Sequence, residues 1–167
     1  MIPRKRTETS IPQALTEFGA QFQIPEIQRV VPYGKGSINE TFLVKTSGSP
    51  FILQQLRPAY DYGSLEDYEA ITQCVDRAGI ITPRIVPTKT GLLGTIKDNR
   101  LWRMTSFVPG VTLKRSPTSS QVKSAAALLG RWHEGLSTLD YDFHFKLPDF
   151  HDTPKKMMDL QAALTAT

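Results

Sequence analysis

The sequence is poor in the features that mark secreted, membrane-spanning and metal-binding proteins. Its 167 residues include a single cysteine, Cys74, which excludes an internal disulfide framework and is typical of a reducing compartment. No apolar run is long enough to cross a bilayer, and the N-terminus lacks the apolar segment of a signal peptide. The three histidines show no spacing typical of metal ligands. These absences predict a cytoplasmic protein with no membrane partner and no metal site of its own.

Charge is low and spread along the chain. Lys and Arg number 20 against 16 Asp and Glu, which gives a net charge of +4. A mildly basic protein suits an anionic ligand as well as a nucleic acid. No basic stripe or pattern of stacked aromatics supports nucleic-acid binding, so we expect no nucleic-acid partner.

The periodicity of the apolar residues predicts an α+β protein. The predicted elements are a helix over residues 12–22, strands over 27–33, 38–45 and 50–56, a helix over 64–78, and a hairpin over 92–108. The second and third strands form an antiparallel hairpin, Ser64 caps the second helix, and the later hairpin turns at Asp98 and Asn99.

Beyond residue 108 the pattern becomes helical. The Pro109-Gly110 pair breaks the sheet, and Thr118 with Gln121 fits a capping box for a long helix. Another helix is predicted to begin at Thr153, and it still continues where the sequence ends, so the chain looks interrupted. Three parts follow: an N-terminal arm and helix (1–26), a sheet-rich lobe (27–108), and a break followed by helices (109–167).

A glycine-rich loop between the first two strands is the most informative segment. Residues 33–39 read YGKGSIN, with the spacing G-x-G-x-x-N. A loop without bulky side chains lets backbone N–H groups approach phosphate oxygens. Because the loop joins two strands, it does not fit a P-loop or a dinucleotide-binding turn, in which a strand leads into a helix. A plain tight turn is the alternative.

The order of short motifs resembles the aminoglycoside phosphotransferase and choline kinase superfamily, and within it the N-acetylhexosamine kinase-like branch most closely. The motifs are residues 36–42 (GSINETF), 51–55 (FILQQ), 101–104 (LWRM), 107–110 (FVPG) and 150–154 (FHDTP). The resemblance implies a protein-kinase-like N-lobe, with an antiparallel sheet of about five strands plus one helix, followed by a hinge and the first helices of an incomplete C-lobe. It also implies an ATP-dependent phosphotransferase. An N-acetylhexosamine is the expected acceptor, and choline-like molecules and hydroxylated antibiotics are the alternatives.

Within this resemblance, the glycine-rich loop is expected to cover the phosphates of ATP. Gly34, Gly36 and Ser37 would offer backbone N–H groups to the phosphate oxygens. Asn39 would brace the loop or reach a phosphate through its side-chain amide. The alternative for Asn39 is a turn residue that bonds its own backbone.

The third strand is where related kinases carry a basic residue that pairs with the α- and β-phosphates and with a glutamate of the next helix. Gln54 occupies that position here, and a neutral amide lacks the strength of a charge-assisted hydrogen bond. The resemblance aligns Glu69 with the helix glutamate, and Glu66 is the alternative. The basic residues that could compensate are Lys35, Lys45 and Arg57.

The end of the last predicted strand matches the hinge that binds adenine in related kinases. Thr105 and Phe107 would lie where the hinge backbone meets the base, with Met104 behind them lining the base pocket. A buried strand without a ligand is the alternative.

The catalytic loop of the family, H-x-D-x-x-x-x-N, does not occur in the sequence. His151-Asp152 does not serve, because a helix begins directly afterwards and no asparagine follows at the required spacing. No catalytic or metal-binding residue is therefore assigned, and the Mg²⁺ ligands are expected in a C-terminal portion that the chain lacks. The chain alone is expected to be inactive. The alternative is a non-catalytic binding or scaffold module derived from a kinase N-lobe.

Overall fold

The computed structural model describes residues 12–34, 38–111, 118–147 and 152–165, without the side chains of residues 12–14. These ranges contain four helices and six strands. In chain order they are α1 (Pro12–Gly19), β1 (Ile27–Pro32), β2 (Glu40–Thr46), β3 (Phe51–Gln55), α2 (Gly63–Arg77), β4 (Ile85–Val86), β5 (Thr95–Lys97), β6 (Arg100–Ser106), α3 (Ser119–Leu136) and α4 (Thr153–Thr165). The predicted α+β class is confirmed.

The six strands form one sheet in which every pairing is antiparallel. The order is β1-β2-β3-β6-β4, with β5 paired to β6. The two predicted hairpins are present. Asp98 and Asn99 both have positive φ, 53° and 55°, as in the tight turns that match the twist of a hairpin. Five of the six strands were predicted. Strand β4 was not, because two residues are too few to show a periodic pattern.

Side-chain alternation gives the sheet two different faces. One face packs with α1 into an apolar core that includes Phe22, Val44, Leu53 and Met104. The opposite face packs against α2 through a smaller cluster of Leu56, Leu65, Ile85 and Leu101. Because β3 and β6 are paired in register, Gln54 and Arg103 lie side by side on the α2 face.

Helix α2 lies against both the sheet and α3. Leu65 and Val75 are buried, and Cys74 is a buried residue whose thiol donates to the carbonyl of Gly135 at 3.2 Å. The predicted N-cap was wrong. The Ser64 side chain does not cap the helix, and the carboxylate of Asp61 accepts the Ser64 N–H at 3.1 Å.

Helix α3 has the predicted capping box, with Thr118 and Gln121 each accepting the other's backbone N–H. Its apolar residues Val122 and Leu129 are exposed, and no residue of α4 is buried. No helix in the described part of the chain has the length and hydropathy needed to cross a membrane.

Candidate functional site

A cavity of about 520 Å³ opens where the glycine-rich loop joins the end of the sheet. Gly34, Asn39, Arg57 and Arg100 are among the residues that line it. Gly34 has φ of 79°, a left-handed conformation that favours glycine, and this starts the turn from β1. Gly36 and Ser37 lie outside the described residues, so their contacts with phosphate stay predictions.

Asn39 braces the loop against the chain that follows β3. Its side-chain oxygen accepts the backbone N–H of Arg57 at 3.2 Å, eighteen residues away in sequence. This is a bond to a distant segment, whereas the turn alternative required a bond to its own backbone. This bond fits the bracing role, and both that role and a contact between the Asn39 amide and a phosphate stay predictions.

A row of polar side chains crosses three strands on the α2 face of the sheet. The Gln54 amide nitrogen donates to the Thr41 hydroxyl at 3.3 Å, and Arg103 Nε donates to the Gln54 amide oxygen at 3.1 Å. These two bonds fix the orientation of the Gln54 amide, because its nitrogen and oxygen have different partners. Gln54 thus lies on β3 with a cation directly beside it, and its contact with a phosphate stays a prediction.

Arg103 is the functional candidate that sequence reasoning missed. Its guanidinium carbon lies 4.2 Å from the centre of the Tyr68 ring, as in a cation–π contact. Burial lowers the pKa of Arg103, and the nearby Tyr68 and Tyr60 oppose that shift. Among the described residues no carboxylate pairs with this arginine. An arginine between the apolar residues Trp102 and Met104 was the available signal, but its neighbour on β3 cannot be read from the sequence.

The two candidate glutamates of α2 have partners other than Gln54. Glu69 pairs with Arg84 at 3.1 Å, and Arg84 also reaches Asp76 at 3.1 Å. Glu66 lies 3.1 Å from a ring nitrogen of His144. The structure therefore does not bring either glutamate to Gln54.

The predicted hinge residues are split between the two faces of the sheet. Met104 is fully buried in the core with α1, on the face opposite Gln54, while Thr105 is buried on the α2 face. Phe107 packs edge-to-face on Tyr33, with ring centres 5.9 Å apart. Since Tyr33 precedes Gly34, this contact brings the end of β6 to the glycine-rich loop. The contacts of Met104, Thr105 and Phe107 with an adenine base stay predictions.

A second cavity of about 390 Å³ lies between α2 and the sheet. Its lining includes Asn39, Tyr68, Arg103, Phe143 and Phe145. Asn39 lines both cavities, so the two adjoin at the end of the glycine-rich loop.

The segment over residues 141–145 closes this second cavity and is held by one carboxylate of α2. Asp67 accepts the backbone N–H groups of His144 and Phe145, each at 2.9 Å, and the hydroxyl of Tyr141 at 3.1 Å. Burial would raise the pKa of Asp67, but these hydrogen bonds and the His144 ring together bring it below its ordinary value of 3.8. This attachment joins the helical part of the chain to the sheet-rich lobe.

Within the described ranges, no group of three or more His, Cys, Asp or Glu side chains is placed to hold a metal ion. The cavity at the glycine-rich loop is lined by Asn39, by Arg57 and Arg100, and by Glu40, so its cations outnumber its carboxylates.

Comparison with known proteins agrees with this fold. The spectinomycin phosphotransferase whose crystal structure contains ADP and spectinomycin is similar, with a TM-score of 0.64 and 13% sequence identity. The similarity covers 93% of this chain and 46% of that chain, so this chain spans less than half the length of its structural relative. It confirms the kinase-like fold that the motifs implied. The sequence model of a phosphotransferase enzyme family, abbreviated APH, matches residues 29–166. Because that match covers most of the chain, the chain belongs to the APH phosphotransferase enzyme family.

Proposed function

We propose that this chain is the nucleotide-binding half of an ATP-dependent small-molecule phosphotransferase. The observation that carries the proposal is the cavity under the glycine-rich loop, in a chain of the phosphotransferase family. Two arginines, Arg57 and Arg100, line this cavity together with one carboxylate, Glu40, so its lining residues carry a net positive charge that suits an anionic ligand. ADP is bound in the similar spectinomycin phosphotransferase, which supports a nucleotide as the ligand.

In this proposal the loop holds the phosphates and the end of β6 meets the base. Gly34, Gly36 and Ser37 donate backbone N–H groups to phosphate oxygens, while Asn39 keeps the loop attached to the residue after β3.

Chemistry requires groups that the described residues do not provide. No metal-binding cluster is present among them, so we assign no Mg²⁺ ligand to this part of the chain. Phosphoryl transfer depends on a metal-bound nucleotide and on an aspartate that orients the attacking hydroxyl. We therefore expect the chain alone to bind nucleotide without turning it over, and a complete cytoplasmic enzyme to supply the catalytic residues.

The acceptor is proposed to be a small hydroxylated molecule. The motif resemblance favours an N-acetylhexosamine, and the similar phosphotransferase binds spectinomycin. Both ligands present hydroxyl groups to which a phosphoryl group can be transferred. N-acetylhexosamine is the acceptor we propose to test first on the complete enzyme.

The test is calorimetric titration of the chain with ADP and with ATP, with and without Mg²⁺. We expect saturable binding that the Gly34→Val variant weakens at least about tenfold, because a β-branched residue disfavours the left-handed loop conformation. Gly91→Val is the matched control, since Gly91 also has a positive φ (85°) and open space around a Cβ but lies in a different turn. A folded chain indifferent to both nucleotides would instead indicate a scaffold module.

A further inference from the structure

We infer that Arg103 of β6 is the phosphate-binding cation of this site, in place of the basic residue that related kinases carry on β3. The inference rests on the proposed nucleotide-binding function and adds to it a residue that neither the family match nor the motif resemblance assigns. The ligand group it binds is the diphosphate of the nucleotide.

The register of the sheet places Arg103 where a β3 side chain would point. Gln54 and Arg103 are directly opposed residues of paired antiparallel strands, on the face that packs against α2. Side chains opposed in this way have Cβ atoms about 5 Å apart. A guanidinium on β6 therefore reaches the same space as a basic side chain on β3.

Two contacts orient the guanidinium while leaving donors available for a ligand. Arg103 Nε donates to the Gln54 amide oxygen at 3.1 Å, and the guanidinium carbon lies 4.2 Å from the Tyr68 ring centre. Gln54 is itself held by the Thr41 hydroxyl at 3.3 Å. An arginine has five N–H donors, and these contacts use one of them and one face of the group.

The charge of Arg103 is not neutralised by an ion pair with any described residue. Burial lowers its pKa, and the described residues contribute no carboxylate partner. The acidic groups of α2 near the site have other partners. Glu69 pairs with Arg84 and Glu66 with His144, and Asp67, which lines the same cavity, accepts hydrogen bonds from residues 141, 144 and 145. A half-buried cation without an anion is costly, and a bound phosphate would remove that cost.

Arg103 also faces the space next to the glycine-rich loop. It lines the cavity between α2 and the sheet, and this cavity shares Asn39 and Leu56 with the cavity under the loop. A diphosphate under the loop therefore lies next to the cavity that the guanidinium lines.

The other basic residues considered from the sequence fit less well. Lys45 is exposed and follows Thr41 by four residues on β2, about 13 Å along the strand. Arg57 is exposed at the outer side of the loop cavity, with its guanidinium carbon 5.8 Å from the Tyr60 ring centre. Lys35 lies outside the described residues.

The experiment compares ADP with adenosine, because only ADP has the group that Arg103 binds. In calorimetric titrations of the whole chain, we expect Arg103→Gln to weaken ADP binding about 10- to 100-fold and to leave adenosine binding unchanged. Arg29→Gln removes one positive charge from an exposed position on β1 and is the matched control, expected to leave both affinities unchanged. Arg57→Gln tests the competing cation.

A charge swap separates binding from a merely structural role. In the Arg103→Gln background, Gln54→Arg returns the cation to β3, and we expect it to recover most of the lost ADP affinity. If Arg103→Gln does not fold by circular dichroism, the double variant and Arg103→Lys carry the test, and both are expected to bind ADP.

Several outcomes would overturn the inference. Equal losses for ADP and adenosine would mean that Arg103 only supports the sheet. If Arg103→Gln binds ADP as tightly as the unaltered chain does, the phosphate-binding cation lies elsewhere, whatever the result for Arg57→Gln. A double variant that folds but does not bind ADP would lead to the same conclusion. Failure of the unaltered chain to bind either ligand would contradict the proposed function itself, and the inference would fall with it.

Discussion

Replacing Asp67 with alanine should detach the segment over residues 141–145 from α2. The Asp67 side chain is 10% exposed, and its carboxylate accepts three hydrogen bonds from residues 74 to 78 positions later in the chain. Two of the donors are the backbone N–H groups of His144 and Phe145. Without the carboxylate these N–H groups lose their partner, and the segment can satisfy them only by moving into water.

The expected cost follows from the number and kind of these bonds. A hydrogen bond to a charged group contributes about 1.5–3 kcal/mol, but the three bonds share one acceptor group and are not additive. His144 and Tyr141 are partly exposed, so release of the segment limits the loss. We expect Asp67→Ala to lower the free energy of unfolding by about 3 kcal/mol, which corresponds to about 6–12 °C in melting temperature.

Urea and thermal unfolding measure the loss in free energy of unfolding. Hydrogen exchange at the amides of His144 and Phe145 measures whether the segment over residues 141–145 has detached from α2. Asp142→Ala is the matched control, because Asp142 is an exposed aspartate of the same segment. The reasoning would be refuted if the two variants had equal stability, or if these amides exchanged at the same rate in Asp67→Ala and in the unaltered chain.

The pH dependence of stability has a defined sign. The pKa of Asp67 is lower in the folded chain than its ordinary value of 3.8, so the unfolded chain binds the proton more readily. The stabilisation is therefore complete above the unfolded pKa and is lost as pH falls through the folded pKa. Below about pH 5, the unaltered chain should lose more stability than Asp67→Asn does, as followed by urea unfolding at several pH values.

Three further substitutions test the space around two glycines and the function of the loop. Gly94→Ala should lower the free energy of unfolding by at least about 2 kcal/mol, because its Cβ would lie 2.5 Å from the Trp102 carbonyl oxygen. Gly130→Ala is the control: its Cβ would meet open space in α3, so this variant should raise the free energy of unfolding by up to about 1 kcal/mol, as measured in urea. Asn39→Asp keeps the acceptor for the Arg57 N–H but removes the amide donor and adds negative charge, so it should weaken ADP binding in calorimetry with little change in melting temperature. A loss of stability without a loss of affinity would restrict Asn39 to bracing.

Local features of this chain could be predicted from its sequence because their causes are local. The capping box of Thr118 and Gln121 requires only three residues of spacing, and the turn at Asp98 and Asn99 requires only two residues that tolerate positive φ. The amphipathic pattern of α3 was also visible. A period shows which residues share a face, but it does not show what covers that face, and Val122 is 51% exposed.

Features that depend on pairing over long distances could not be predicted. Gln54 and Arg103 are 49 residues apart in the sequence, and their contact can be predicted only if β3 and β6 are already known to be neighbours in the sheet. The same limit applies to Asp67, whose partners begin 74 residues later, and to the pairing of Glu69 with Arg84. In each case the sequence shows that a polar or charged residue is present, but it does not show which distant residue that side chain contacts.

The lack of a basic residue on β3 does not by itself show that nucleotide binding is lost, because a basic residue on a neighbouring strand can occupy the same space. Gln54 taken alone favours a module that has lost nucleotide binding, because an amide contributes no charge. Arg103 beside it changes that argument, since opposed side chains of paired strands reach the same space. A cation without a carboxylate partner should also make the ligand-free chain less stable than the ligand-bound chain. If Arg103 binds phosphate, the stabilisation of the chain by ADP should therefore fall in Arg103→Gln to about the level given by adenosine.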